Sequence, residues 1–333
     1  MLVLQYMLPY QQVKREILVR RKAETSPQYG CPPEQRQTEK LLDYGVVCIN
    51  KPAGPTSHQT VDFVKQILQI SKAGHSGTLD PGVTGVLVVA LGKCTRVVDV
   101  LLKSGKEYVC LMRIHSDIDE QTIRKHVAQY IGKIEQLPPK KSAVKRQWRT
   151  REIYYLEILE INGRDVLFRV GCQAGTYIRK LCTDLGFSMG TKAHMQELVR
   201  TKVGHFTDEN WVSLHDLKDA YEEWKEGDDT PLRKCIEPIE NAVAFIPKVW
   251  VIDTAVDSLC HGAFLSTPGI VKLESGIEVG DTVALLTLKN ELLGLGVAKM
   301  NAQNMLRQQK GYAVADMRIF LDRGTYPKFV KKE

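Results

Sequence analysis

The chain has 333 residues, 43% of them hydrophobic, and a formal net charge of +7, enough for about two domains with substantial cores. No apolar run reaches membrane-spanning length, and the N-terminus lacks a charged-then-apolar segment ending in a small-residue cleavage site, so membrane and secreted classes are set aside. The eight cysteines are scattered without a Cys-x-x-Cys pair, which argues against zinc sites and disulfide frameworks and for a reducing, cytoplasmic setting.

Residues 1–40 are polar and charged and are broken by Ser26-Pro27 and Cys31-Pro32-Pro33, so they read as an arm rather than a domain. Val46 to Ile49 reads as a strand running into a Pro/Gly turn at 52–55. Ser57 is placed to cap a helix that carries Val61, Val64 and Leu68 on one face. Strands are expected at 83–91 and 106–114, then a helix from Asp119 to Ile131 stopped by Gly132. Ile153 to Ile161 and Val166 to Cys172 read as a hairpin around Asn162-Gly163.

A helix from Thr176 to Phe187 puts Ile178, Leu181, Cys182 and Leu185 on one stripe and leaves Arg179 off its centre. Cys110, Cys172 and Cys182 lie among apolar residues and read as small core residues. The first large domain is expected to end near Ile246-Pro247. Beyond it, short runs at Val249–Ile252, Val279–Leu288, Leu292–Met300 and Ala313–Leu321 suggest a small barrel or sandwich.

Two charge runs differ in kind. Lys140, Lys141, Lys145, Arg146, Arg149 and Arg151 surround Trp148 without an intervening acid, which suits a polyanion such as nucleic acid. Asp216 to Asp229 holds seven acids against Lys218 and Lys225, which suits a solvated helix or a basic protein partner.

The densest local signal is Gly74-His75-Ser76-Gly77-Thr78-Leu79-Asp80-Pro81-Gly82. Pro81 pushes Asp80 out of the helical region, and the glycines permit positive φ and close approach of another chain. By itself Asp-Pro-Gly is ordinary turn chemistry. Lys51-Pro52-Ala53-Gly54-Pro55-Thr56-Ser57-His58 lies upstream, Lys106-Glu107-Tyr108 downstream, and Gly175-Thr176-Tyr177-Ile178-Arg179-Lys180-Leu181 further on.

These four blocks, in this order, resemble the TruB/dyskerin family of RNA pseudouridine synthases. Pro138 to Gln147 resembles its box H/ACA, guide-RNA-dependent branch, in the archaeal form. The resemblance runs from about Leu4 to Lys328. It implies an α+β fold, with a mixed, largely antiparallel central sheet flanked by helices and a small β-barrel-like PUA domain. The implied organisation is an arm at 1–40 packing on the PUA domain, a catalytic domain at 41–246 and the PUA domain at 247–328. The chain stops at Lys331-Lys332-Glu333, without the long Lys/Glu-rich tail of the eukaryotic relatives.

The resemblance also implies the chemistry. Uracil is detached from C1′ of its ribose, turned, and rejoined through C5, a reaction that calls for no metal or other cofactor. Asp80 takes the catalytic role as nucleophile, stabiliser or base, and must be ionised for it. Arg179 is its implied partner, since an adjacent guanidinium favours the charged carboxylate against desolvation. The target base must leave its helix, and unstacking is offset by stacking on an aromatic ring, here Tyr108. Tyr177, Ile178 and Leu198 are placed at the substrate pocket and His75 beside the flipped nucleotide. Lys51, in the Lys-Pro motif, matches a structural position near the active-site loop and is grouped with them. Lys140, Lys141, Lys145, Arg146, Arg149 and Arg151 fall in a loop closing over RNA. Gly262 and Lys299 fall on the PUA surface that holds the guide.

The implied partners are a box H/ACA guide RNA, substrate rRNA or tRNA, and a small zinc-ribbon, a small β-barrel and a kink-turn-binding protein. A stand-alone enzyme acting on the tRNA T-loop and a catalytically silent RNA scaffold remain the rival readings. Nucleotide-cofactor motifs fail on detail. Gly92-Lys93-Cys94-Thr95 has Leu87 where a P-loop needs Gly, and Gly294-Leu295-Gly296 is followed by Lys299 where a third Gly belongs.

Overall fold

The computed structural model describes residues 6–139 and 145–328. Two sheets organise them. In the first, the strands lie in the spatial order Ile236–Pro238, Gly45–Lys51, Thr84–Leu91, Ala193–Val203, Lys106–Ile114, Asp165–Cys172, Arg149–Asn162 and Gly132–Gln136. Ala73–His75 joins Thr84–Leu91, and Phe206–Thr207 joins Ala193–Val203. Among the described strand pairs of this sheet, only Thr84–Leu91 with Ala193–Val203 is parallel. The expected mixed, largely antiparallel α+β fold is what forms.

The central strands are apolar on both faces for a packing reason. Val46, Cys48, Val86, Val88 and Ala90 enter one core. Val47, Ile49, Leu87, Val89 and Leu91 enter another, under the helices Ser57–Ile67 and Leu214–Glu226. A strand covered on both sides loses the polar alternation and reads as a continuous run. A third core holds Cys110, Cys172 and Cys182 with Ile178, Leu181 and Leu185, packing the helix Ile178–Ser188 on the far strands.

The second sheet orders Ile17–Val19, Ile270–Glu274, Lys248–Val251, Thr282–Leu286, Leu292–Ala298, Tyr312–Ile319 and Leu265–Ser266. Its interior is filled by residues such as Val249, Leu273, Leu285, Leu293 and Tyr326. The N-terminal segment supplies the edge strand Ile17–Val19, in register with Glu274 to Lys272. Arg20 Nη1 donates to the Met305 and Leu306 carbonyls at 2.8 and 2.7 Å. Trp250, Ala284, Leu286, Leu292, Leu295 and Phe320 share one apolar cluster with Tyr44, Val97, Leu101 and Ile246 of the first sheet's body. Burial on this scale docks the two bodies firmly.

Several local expectations shift. The cap of the helix Ser57–Ile67 is Thr56, because Gln59 three residues on completes a capping box with it. The hairpin turn is Gly163-Arg164, since Asn162 pairs with Asp165. The helix at 119–131 spans Glu120–Ala128 with Asp119 as its cap, and Gly132 opens a strand. Among the described residues no helix is long and apolar enough to cross a membrane.

Candidate active site

Asp80 sits on the loop between Ala73–His75 and Thr84–Leu91, and that loop is tied down residue by residue. Lys51 Nζ donates to the carbonyls of Pro52, Pro81 and Val83 at 2.7, 3.1 and 2.9 Å. Ser57 Oγ accepts from the Leu79 amide at 2.8 Å and donates to the Leu79 carbonyl at 3.2 Å. The Gly54 amide donates to Pro81 O at 2.9 Å, and the Val83 amide to Asp80 O at 3.0 Å. The Lys-Pro-Ala-Gly-Pro-Thr-Ser block therefore folds as the cradle of the Asp80 loop.

Lys51, matched to a structural position near this loop and grouped with the substrate contacts, is 0% exposed and its ammonium is spent on backbone carbonyls. It holds the loop rather than the RNA. Burial, reinforced by the nearby Arg200, lowers its pKa.

The Asp80 carboxylate faces outward and accepts a hydrogen bond from Arg179 Nη2. The two side chains are 55% and 54% exposed. Such a pair adds little to stability, so its value lies in holding the two groups together at the surface. Arg179 is aimed by its helix. Ile178, Leu181, Cys182 and Leu185 bury their stripe, which leaves Arg179 off the core as the spacing predicts.

The helix start is clamped by Gln136. Its Oε1 accepts from the Tyr177 amide at 2.9 Å, and its Nε2 donates to the Tyr177 carbonyl at 3.2 Å. Gln136 ends the strand Gly132–Gln136 and pairs with Arg149, so the base of the basic segment is coupled to the Arg179 helix.

Tyr108 lies on Lys106–Ile114, partly buried and opposite Arg200 in the neighbouring strand. Burial pushes its phenol upward, while the positive charge of nearby Arg200 pulls the other way. Ile178 is 4% exposed and sits in the third core, with Leu198 packed against the same cluster. Ile178 is thus mainly a core residue.

His75 accepts from the Gly77 amide through Nδ1 at 3.2 Å, and its ring meets His58 edge-on at 4.9 Å. Burial, then His58 and Arg200, lower its pKa to about 4, so the ring is neutral near pH 7 and suited to positioning. The folded value lies below the ordinary ~6.5. Between those values the unfolded chain binds the proton and the folded chain does not, so stability falls as pH drops from about 6.5 towards 4. Denaturant titrations across that window should show this loss in the wild type and a flatter profile in His75→Gln.

Two residues that the sequence reading passed over complete the site. Gln136 is the clamp just described. Arg200 is 1% exposed; its Nε donates to Val86 O at 2.7 Å and its Nη2 to Gly77 O at 3.1 Å. Gly85, at φ +106°, lies so close to Arg200 that a Cβ would sit 2.3 Å from the Arg200 carbonyl. No motif marks Arg200, since an isolated Arg in a strand reads as solvent-facing.

The remaining basic residues divide. Lys145 and Arg146 are exposed, and Arg149 and Arg151 are half-buried on the strand Arg149–Asn162. The Arg151 guanidinium lies against Gly175, just before Tyr177. Lys140 and Lys141 lie outside the described residues. Gly262 and Lys299 belong to the second sheet's body. Gly262 follows the helix Asp253–Cys260 at φ +94°, and Lys299 pairs with Asp316 at 2.7 Å.

Four known families match successive segments of the chain. Residues 8–61 match the DKCLD domain and 65–178 the TruB family pseudouridylate synthase N-terminal domain. Residues 179–244 match the tRNA pseudouridylate synthase B C-terminal domain, and 247–320 the PUA domain. A probable tRNA pseudouridine synthase B of Methanopyrus kandleri is 54% identical over 315 residues, which is 94% of this chain and 93% of its own. Its counterpart in Pyrococcus furiosus is 53% identical, over 96% and 95% of the two chains.

Among solved structures, a chain of a Cbf5-Nop10-Gar1 complex is 52% identical with a TM-score of 0.93, covering 97% of this chain and 99% of its own. A chain of an H/ACA RNP bound to a substrate RNA containing 2′-deoxyuridine is 50% identical with a TM-score of 0.92, at the same coverage.

Proposed function

Because the chain belongs to the TruB family of pseudouridine synthases, we propose that it isomerises uridine to pseudouridine in RNA as the catalytic subunit of a box H/ACA guide-RNA particle. The observation that carries the reading is the outward-facing Asp80 carboxylate, held by Arg179 on a loop that Lys51 and Ser57 pin from below. In the reaction the C1′–N1 bond breaks, a C1′–C5 bond forms, C5 loses a proton and N1 ends with one. Asp80 confronts C1′ or its intermediate, and Tyr108 takes the flipped uracil on its ring. Arg179 keeps the carboxylate charged and in place until the nucleotide arrives. His75, neutral, borders the nucleotide.

Guide dependence is supported by the likeness to chains solved within a Cbf5-Nop10-Gar1 complex and an H/ACA RNP. The proposed partners are accordingly guide RNA, substrate rRNA and small proteins of the Nop10 and Gar1 kind, in the cytoplasm. The proposed organisation is an arm over 1–40, a catalytic domain over 41–246 and a guide-binding PUA domain over 247–328, with Gly262 and Lys299 on its RNA surface. The PUA match over 247–320 supports the last of these. The names of the curated relatives favour a second reading, modification of tRNA without a guide.

The two separate in one assay. Tritium placed on C5 of the target uridine is released only when C5 bonds to C1′. Release from rRNA with partners and guide, lost on omitting the guide, is the expected result. Equal release from tRNA without a guide would favour the stand-alone enzyme. Tight guide binding with no release from either RNA would leave a scaffold.

Lys145, Arg146, Arg149 and Arg151 are proposed to meet substrate phosphates. Neutralising Lys145, Arg146 and Arg149 together should flatten the log–log salt dependence of substrate-RNA affinity by about 2, since each single-strand phosphate contact contributes roughly 0.7. An unchanged slope would remove the segment from the RNA interface.

A further inference from the structure

Glu107 precedes Tyr108 on the strand Lys106–Ile114, and its carboxylate is buried, with 4% of the side chain exposed. A charge away from water is costly unless its polar atoms are well used, and here three donors converge on it. Thr201 Oγ1 donates at 2.8 Å and Lys202 Nζ at 3.2 Å, both from the neighbouring strand Ala193–Val203. The Tyr155 hydroxyl donates from two strands away on the other side. Glu107 pairs with Gly171 and Gly171 with Tyr155, so the phenol reaches Glu107 across a residue with no side chain. A Cβ at Gly171 would sit 2.2 Å from the Tyr155 ring.

The ladder slips at this point. Glu107 lies opposite Lys202 but Tyr108 lies opposite Arg200, which leaves Thr201 as the extra residue of a β-bulge. Adjacent side chains of a regular strand point to opposite faces; here Thr201 and Lys202 both reach one carboxylate. The bulge decides where Tyr108 falls along Ala193–Val203. Its partner there, Arg200, is tied to Gly77 O and Val86 O, which lie on either side of Asp80 along the chain. The Tyr108 backbone is thus registered against the Asp80 loop one residue from the bulge that Glu107 holds.

We propose that Glu107 is a positioning residue for the isomerisation. By locking the bulge at Thr201 it sets the Tyr108 ring in register with the Asp80 loop, so that uracil stacked on the ring presents C1′ to Asp80. Glu107 and Tyr108 are successive residues and point to opposite faces of the sheet, so Glu107 acts from behind the site and does not touch the base. The inference rests on the roles given to Asp80 and Tyr108 above. Glutamine at position 107 would keep the size, but it offers one acceptor oxygen and an amide donor where three donors converge, and the bulge would lose its tie.

The test is a double-mutant cycle on single-turnover pseudouridine formation in the assembled particle, using wild type, Glu107→Gln, Tyr108→Leu and the double variant, each below its unfolding transition. Glu107→Gln is expected to slow the wild-type rate by about 10- to 100-fold, the scale of a small misplacement of reacting groups, with substrate-RNA affinity little changed. It should slow Tyr108→Leu by no more than about threefold, because no ring is then left to place. Effects that simply multiply would make Glu107 a residue of the fold alone and overturn the proposal, as would an unchanged rate in Glu107→Gln. A Tyr108→Leu enzyme as fast as wild type would instead overturn the reading of Tyr108, and this inference with it.

If Glu107→Gln does not fold, or Tyr108→Leu is too slow to follow, Thr201 decides the matter. Thr201→Val leaves Lys202 and Tyr155 on the carboxylate and removes only its tie to the bulged residue. It should slow single-turnover conversion by about 10-fold without weakening substrate-RNA binding, and Thr201→Ser, which keeps the hydroxyl, should run at the wild-type rate. Thr201→Val as fast as wild type, or Thr201→Ser as slow as Thr201→Val, would overturn the proposal.

Discussion

Asp80→Asn is expected to abolish pseudouridine formation, by about 10³-fold or more, while guide and substrate RNA bind as before. Loss of a reacting carboxylate removes the group that must attack, stabilise or accept a proton, and the amide can do none of these as an anion. Nothing else about the loop should change. Its backbone is held by Lys51, Ser57 and Gly54, none of which touches the Asp80 carboxylate. The side chain is 55% exposed, so unfolding should move by less than about 1 kcal/mol. Mass-independent detection of the product, together with filter binding and a denaturation curve, checks all three parts. An active Asp80→Asn enzyme would return the site to the scaffold reading.

Lys51→Met should do the reverse and damage fold and rate together. Met fills much of the same volume, but the carbonyls of Pro52, Pro81 and Val83 lose a charged donor in a site closed to water. Pro81 O retains the Gly54 amide; the Pro52 and Val83 carbonyls lose their ammonium donor. The expected destabilisation is about 3 kcal/mol, read from the denaturant midpoint. Below the transition the rate of the folded protein should also drop, because the Asp80 loop is no longer fixed from beneath. Unchanged stability and rate would mean that the loop holds itself. The contrast matters: one variant removes chemistry and keeps architecture, the other loosens the architecture that presents the chemistry.

What could be read in advance follows from how local each signal is. The bounds of Lys106–Ile114 are legible in its own residues, and Arg179 lies off its helix stripe because periodicity alone decides which face is buried. Asp80 stood out through its glycines and Pro81. The burial of Lys51 and Arg200 is not legible in the sequence, for one shared reason. A cation defaults to the surface, and each is buried only because carbonyls distant in sequence converge on it, Pro81 and Val83 for Lys51, Gly77 and Val86 for Arg200. Thr56 and Ser57 are both plausible caps. The choice was settled by Gln59, and by Leu79, which claims the Ser57 hydroxyl. The strand Gly132–Gln136 is short enough that its pairing with residues 149–153, rather than its own residues, defines it.

The most direct test is a structure of the Asp80→Asn protein, assembled with its partners and guide, holding an RNA with uridine at the target position. The account predicts the uridine flipped from its helix, its uracil stacked on the Tyr108 ring, and C1′ about 3–3.5 Å from the side chain at position 80. A target uridine bound elsewhere, with Tyr108 still packed away from it, would contradict the account.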